Sequence, residues 1–201
     1  NIASIYISQG EKIVGLGHIR YNETNSDLLD ASFHHAREFP SYTASPGVED
    51  ILKRVEGAES VYWQRMIYFP IEVRKANSSA DINRIANWMR IKPTFHDALN
   101  SKDGVSVLFF LSDYSVLSVS GNIYRNAGIT PKSLSTLHHQ VWMHETNCNP
   151  FSWYLVVAEC ETISHGRARV EGRIFDESRK CVMSVVQEGY VQKSTERNAK
   201  I

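Results

Sequence analysis

The feature that most constrains this chain is the stretch 104–126, GVSVLFFLSDYSVLSVSGNIYRN. It is apolar over most of its length and carries a single acid, Asp113. Val107, Phe110, Leu111, Tyr114 and Leu117 recur at i, i+3, i+4 and i+7, the spacing of one buried helical stripe. Asp103 precedes the run, where a short polar side chain caps a helix N-terminus. Asp113 falls roughly 100° from the centre of the stripe, so the spacing predicts a half-buried carboxylate on its flank. An acid in that setting needs either a partner or a task.

A helix this apolar needs cover, and the rest of the chain supplies strands. Residues 2–8 and 12–21 alternate in the manner of a hairpin around Gln9-Gly10-Glu11, and 31–36 reads as a short strand. A lone hairpin is marginal in water. The stretch 38–60 reads as a linker, with Pro40, Pro46 and Gly47 and a short helical piece near 48–55. Strands are predicted over 69–75, 86–92, 134–145, 153–164, 167–175 and 182–192. One helix covers so many strands only if the sheet curls around it. The predicted class is therefore α+β with a hot-dog architecture, an antiparallel sheet wrapped on a central helix.

Composition narrows the function. Lys+Arg 22 balance Asp+Glu 22, which argues for neither nucleic acid nor a membrane surface as partner. Residues 1–20 lack the basic and apolar regions of a signal peptide. Cys148, Cys160 and Cys181 are odd in number and lack metal spacing, which reads as three reduced thiols. The pairs His34-His35 and His138-His139 put neighbouring rings on opposite faces of a strand, a poor arrangement for chelation. The expectation is no metal and no organic cofactor. Arg167, Arg169 and Arg173 share one strand face, either solvated or able to meet phosphates.

Three segments then act together: Leu111-Ser-Asp-Tyr-Ser-Val-Leu117, the run 135–144 (STLHHQVWMH), and Arg173-Ile-Phe-Asp176 followed by 182–190 (VMSVVQEGY). In this order and spacing, over about 69–193, they resemble the C-terminal half of the type II acyl-CoA thioesterases, the TesB-like and peroxisomal double-hot-dog enzymes. The resemblance implies a complete hot dog at 61–193. It also makes residues 1–37 the closing strands of a truncated first one, 38–60 the linker and 194–201 a tail. The catalytic groups it implies are Asp113, Thr136 and Gln187, with Asp113 accepting a proton from water, Thr136 and Gln187 holding that water, and a helix N-terminus or backbone amides at the oxyanion. CoA is then part of the substrate. The implied partners are an acyl-CoA and either a homo-oligomer or the absent N-terminal hot dog.

Departures accompany the resemblance. His138-His139 stands where the family commonly has Asp-His, and 145–150 replaces a tight turn. If Leu137 faces the helix, alternation turns Thr136 away from it, so a bulge must re-aim the hydroxyl. Two further readings stay open: a hot-dog remnant that binds acyl-CoA or a partner chain with little turnover, and an acyl-CoA hydratase or dehydratase. Ala199-Lys200-Ile201 is similar to the Ser-Lys-Leu peroxisomal address, which makes peroxisomal localisation the expectation and cytoplasmic the alternative.

Overall fold

The structure is a computed structural model that describes residues 2–20, 38–56, 69–77 and 81–193. The expected strand at 31–36, the pair His34-His35 and the tail 194–201 lie outside the described residues. The chain divides into two compact units, Asn1–Phe33 and His34–Ile201.

The first unit is a hairpin of β1 (Ile2–Gln9) and β2 (Lys12–Arg20), paired from Ile2↔Arg20 to Gln9↔Lys12 with an irregularity at Ile7/Ser8. Gly10 takes the turn at φ 62°, a region a residue without Cβ enters freely.

In the second unit α1 (Val48–Glu56) precedes β3 (Ile71–Lys75) and β4 (Arg84–Ile91). Two consecutive helices follow, α2 (Gly104–Ser115) and α3 (Ser118–Asn126). The chain ends in β5 (Pro131–Met143), β6 (Tyr154–Ser164), β7 (Arg167–Phe175) and β8 (Cys181–Lys193). The six strands form one antiparallel sheet in the order β3-β4-β6-β7-β8-β5, curled around α2 and α3. This is the hot-dog arrangement expected from the pattern.

The expected single helix over 104–126 is two. Between them Val116 and Leu117 keep helical torsions. Serine hydroxyls take the carbonyls around the break: Ser118 Oγ donates to Ser115 O, and Ser120 Oγ to Leu117 O at 2.7 Å. Such back-bonding competes with the helical ladder. By length and composition Gly104–Asn126 could cross a membrane, but 61% of its most apolar window is buried within the fold.

The buried stripe is also rotated from the expected one. Gly104, Val107, Leu108, Leu111, Ser112 and Ser115 face the sheet, whereas Phe110 lies on the exposed side. Small side chains let the helix approach closely. A Cβ on Gly104 would land on the Cys148 carbonyl oxygen, and one on Gly189 would meet the Leu117 methyls. Gly172 does the same for Val116, whose Cγ2 lies 3.1 Å from that Cβ position. The 145–150 loop thus closes over the start of α2, held by Tyr154 Oη donating to Asn149 O at 2.7 Å.

The stretch 38–56, expected as part of a linker, packs on the sheet. The Tyr42 ring stacks on Trp153 at 5.2 Å and meets Trp88 edge-on at 5.7 Å. Trp88 Nε1–H donates to Pro40 O at 2.9 Å. Together with Phe39, Leu155, Val157 and Phe175 these residues make a second apolar cluster on the outer face. That explains why β6 is apolar on both sides: it is covered by α2 and α3 within and by 39–42 without.

The close approach yields a prediction. Gly104→Ala should cost about 1–3 kcal/mol of stability, because backbone must move to admit the methyl. Gly189→Ala should cost less, since the Leu117 side chain can swing aside. Urea unfolding midpoints of the two variants check the order.

Candidate active site

Asp113, Thr136 and Gln187 come from α2, β5 and β8 and meet at one point. Gln187 Nε2 donates to Asp113 Oδ1 at 2.8 Å and to Thr136 Oγ1 at 2.8 Å. Thr136 Oγ1 donates to Asp113 Oδ1 at 3.2 Å. Gln187 is fully buried. Asp113 is exposed rather than half-buried, because rotation of the stripe puts Ser112 against the sheet and Asp113 outside. Both amide hydrogens of Gln187 are engaged, so it works as a clamp on the other two groups. Its Oε1 is buried and has no partner among the described residues.

Thr136 reaches this point through a bulge. Pairing of β5 with β8 is irregular at Pro131/Ser133, regular from Ser133↔Gln192 to Thr136↔Gly189, and resumes at His138↔Glu188 and His139↔Gln187. Leu137 is the extra residue, and it is 51% exposed. The bulge lets Thr136 and His139 share the inner face although they are three apart, which simple alternation forbids.

Two residues that sequence reasoning did not assign to the site stand beside it. Ser112 Oγ donates to Phe109 O at 2.8 Å, and His139 Nε2 lies 3.3 Å from Ser112 Oγ. Burial lowers the His139 pKa below 6.5, against an opposing pull from Asp113 and with a smaller push from His138. The signal for His139 was its place opposite Gln187, legible only once the bulge is known. His138 is exposed on the other side of the strand.

The α2 N-terminus does not serve this site. Gly104 starts the helix nine residues before Asp113, roughly 13 Å along the axis at 1.5 Å per residue, and lies under the Cys148 carbonyl. Asp103 holds the N-cap position but its side chain makes no cap bond; Oδ2 accepts from Asn100 N–H at 2.8 Å. The strand arginines are met by carboxylates: Arg167 by Glu188 at 2.8 Å, Arg169 by Glu161 and Glu171, and Arg173 by Glu171 at 4.0 Å. The three thiols are buried, and desolvation raises the pKa of each, which keeps them protonated and weakly nucleophilic.

A family model described as acyl-CoA thioesterase C-terminal domain matches residues 35–191. Among solved structures, the chain is similar to acyl-CoA thioesterase II TesB2 from Mycobacterium marinum, with TM-score 0.62 and 16% identity over 96% of this chain and 69% of that one. It is similar to the tesB protein of Mycobacterium avium subspecies paratuberculosis, with TM-score 0.64 and 15% identity over 94% of this chain and 65% of that one. A further structure, from Thermobifida fusca, aligns with TM-score 0.65 and 10% identity over 94% of this chain and 71% of that one. The chain thus spans about two thirds of these structures' length. No curated protein matches.

Two measurements check this geometry. Leu137→Ser should change stability by no more than about 0.5 kcal/mol, as exposed positions do. Leu111→Ala, in the core, should cost about 2–5 kcal/mol. Iodoacetamide should leave all three cysteines of the native protein unmodified by intact mass and alkylate them after denaturation.

Proposed function

Since this chain belongs to the family of acyl-CoA thioesterase C-terminal domains, we propose that it hydrolyses acyl-CoA thioesters to a free fatty acid and CoA. The observation that carries the reading is the meeting of Asp113, Thr136 and Gln187 from three separate elements at 2.8, 2.8 and 3.2 Å. Gln187 holds Asp113 Oδ1 and the Thr136 hydroxyl in one orientation, so neither has to find it during turnover. Asp113 takes a proton from water through its second oxygen. The water oxygen forms a bond to the thioester carbonyl carbon. The tetrahedral species then collapses, the C–S bond breaks, and the CoA thiolate leaves and takes up a proton. The buried, protonated cysteines support a direct attack by water over a covalent thiol intermediate.

A second reading has its own support. The chain spans 69% and 65% of the two mycobacterial structures, and Asp113 and Thr136 stand exposed. On this reading the acyl-CoA is clasped between this domain and a further hot dog or a second copy of the chain, and the present chain turns over slowly by itself.

The test is release of free thiol from a medium- and a long-chain acyl-CoA, with and without an added N-terminal hot dog. Asp113→Asn keeps an oxygen to accept from Gln187 and Thr136 and removes the base. It should lower kcat by about 10²–10⁴ at unchanged thermal stability. Thr136→Ala and Gln187→Ala should lower kcat more than they raise KM, and add little to Asp113→Asn, since all three serve one water. Wild-type turnover in Asp113→Asn would remove the carboxylate from the mechanism.

A further inference from the structure

Ser112 and His139 lie directly behind the site, and the hydrolysis as proposed uses neither. His139 faces inward on β5, in register with Gln187. Its Nε2 lies 3.3 Å from Ser112 Oγ. The Ser112 hydroxyl hydrogen is spent on Phe109 O at 2.8 Å, so that oxygen accepts from His139 Nε2–H. Nε2 therefore keeps its hydrogen in both charge states, and Nδ1 is the atom that titrates. This bond joins β5 to the turn of α2 that carries Asp113.

We propose that His139 is a positioning residue for Asp113: through Ser112 it ties the carboxylate's helical turn to β5, and on taking up a proton it becomes a cation beside that carboxylate. Two charges govern its ring, Asp113 on α2, which favours the cation, and His138 on its own strand, which opposes it. From β8 it faces the neutral Gln187. Burial is the largest influence and keeps the ring neutral at pH 7. In that state the tie holds the helix without an added charge. As the pH falls through the His139 pKa, below 6.5, the imidazolium stabilises the carboxylate form of Asp113 and so weakens it as a base. The kinetic part of this inference rests on the hydrolase reading; the coupling between the two groups does not.

Two substitutions separate the roles. His139→Ala removes tie and charge, and kcat at pH 8 should fall about 10- to 100-fold with KM little changed, the scale of a misplaced catalytic group. His139→Gln, whose amide Nε2–H reaches the same hydroxyl but cannot titrate, should recover most of that loss. The wild-type profile of kcat/KM should show a step of lost activity below pH 6.5, and His139→Gln should lack it. Full kcat in His139→Ala, or an unchanged step in His139→Gln, overturns the proposal. An arm independent of turnover follows the His139 ring by NMR across pH in wild type and Asp113→Asn. Loss of the Asp113 charge should move its midpoint to lower pH, and an unchanged midpoint overturns the proposal. Should the wild type release no thiol from any acyl-CoA, the hydrolase reading alone fails and the NMR midpoint still decides the coupling.

Discussion

The structure depends on how closely a curled sheet can approach an apolar helix. Contact is made where side chains are smallest. Gly172 receives Val116, Gly189 receives Leu117, and Gly104 slips beneath the Cys148 carbonyl. These three seats set both the height and the rotation of α2 above the strands. Rotation decides which residues of Leu111-Ser-Asp-Tyr face inward, and with that the exposure of Asp113. Gly189 lies two residues past Gln187 and opposite Thr136. The residue that seats the helix and the residue that clamps its carboxylate therefore belong to one short run of β8.

Much of this was legible in the sequence. Period-two alternation located β7 at Arg167–Phe175, and the apolar run located α2 and α3. What escaped was set by contacts between distant segments. Periodicity favoured Phe110 and Tyr114 for the stripe because they are large and apolar. Phe110 turns to the exposed side instead, whereas Tyr114 is half-buried and packs with Phe69 against the edge of the inner cluster. A hydropathy pattern registers apolarity and is blind to the space available. The cover over the outer face was hidden likewise. Phe39 and Tyr42 sit in a Pro- and Ser-rich stretch, and their role appears only beside Trp88 and Trp153.

The site shows the same division. Asp113, Thr136 and Gln187 were named from the order of motifs, and periodicity could not have joined them. Alternation set Thr136 at odds with Leu137, and the conflict could be stated from sequence but not resolved. The resolution lies in the pairing with β8, where one extra residue is extruded opposite Glu188. His139 went unassigned for the same reason, since its facing depends on that extrusion. The clamp itself is a neutral amide and carries no charge signature to find.

The sheet has apolar cover on both faces, and its two clusters share no side chain. One lies beneath the helices, of which α2 carries Asp113; the other holds the 39–42 strap through the Tyr42–Trp153 stack, a cation–π contact of Arg84 with Phe39 and hydrogen bonds from Arg179 to the Phe39 and Pro40 carbonyls. Fold maintenance and site geometry are thereby given partly separate anchors. Volume-conserving substitutions in the inner cluster can retune the site while the strap side helps keep the strands together, and substitutions under the strap can erode the fold while the site stays intact. Such a domain can drift in chemistry without first surrendering its shape.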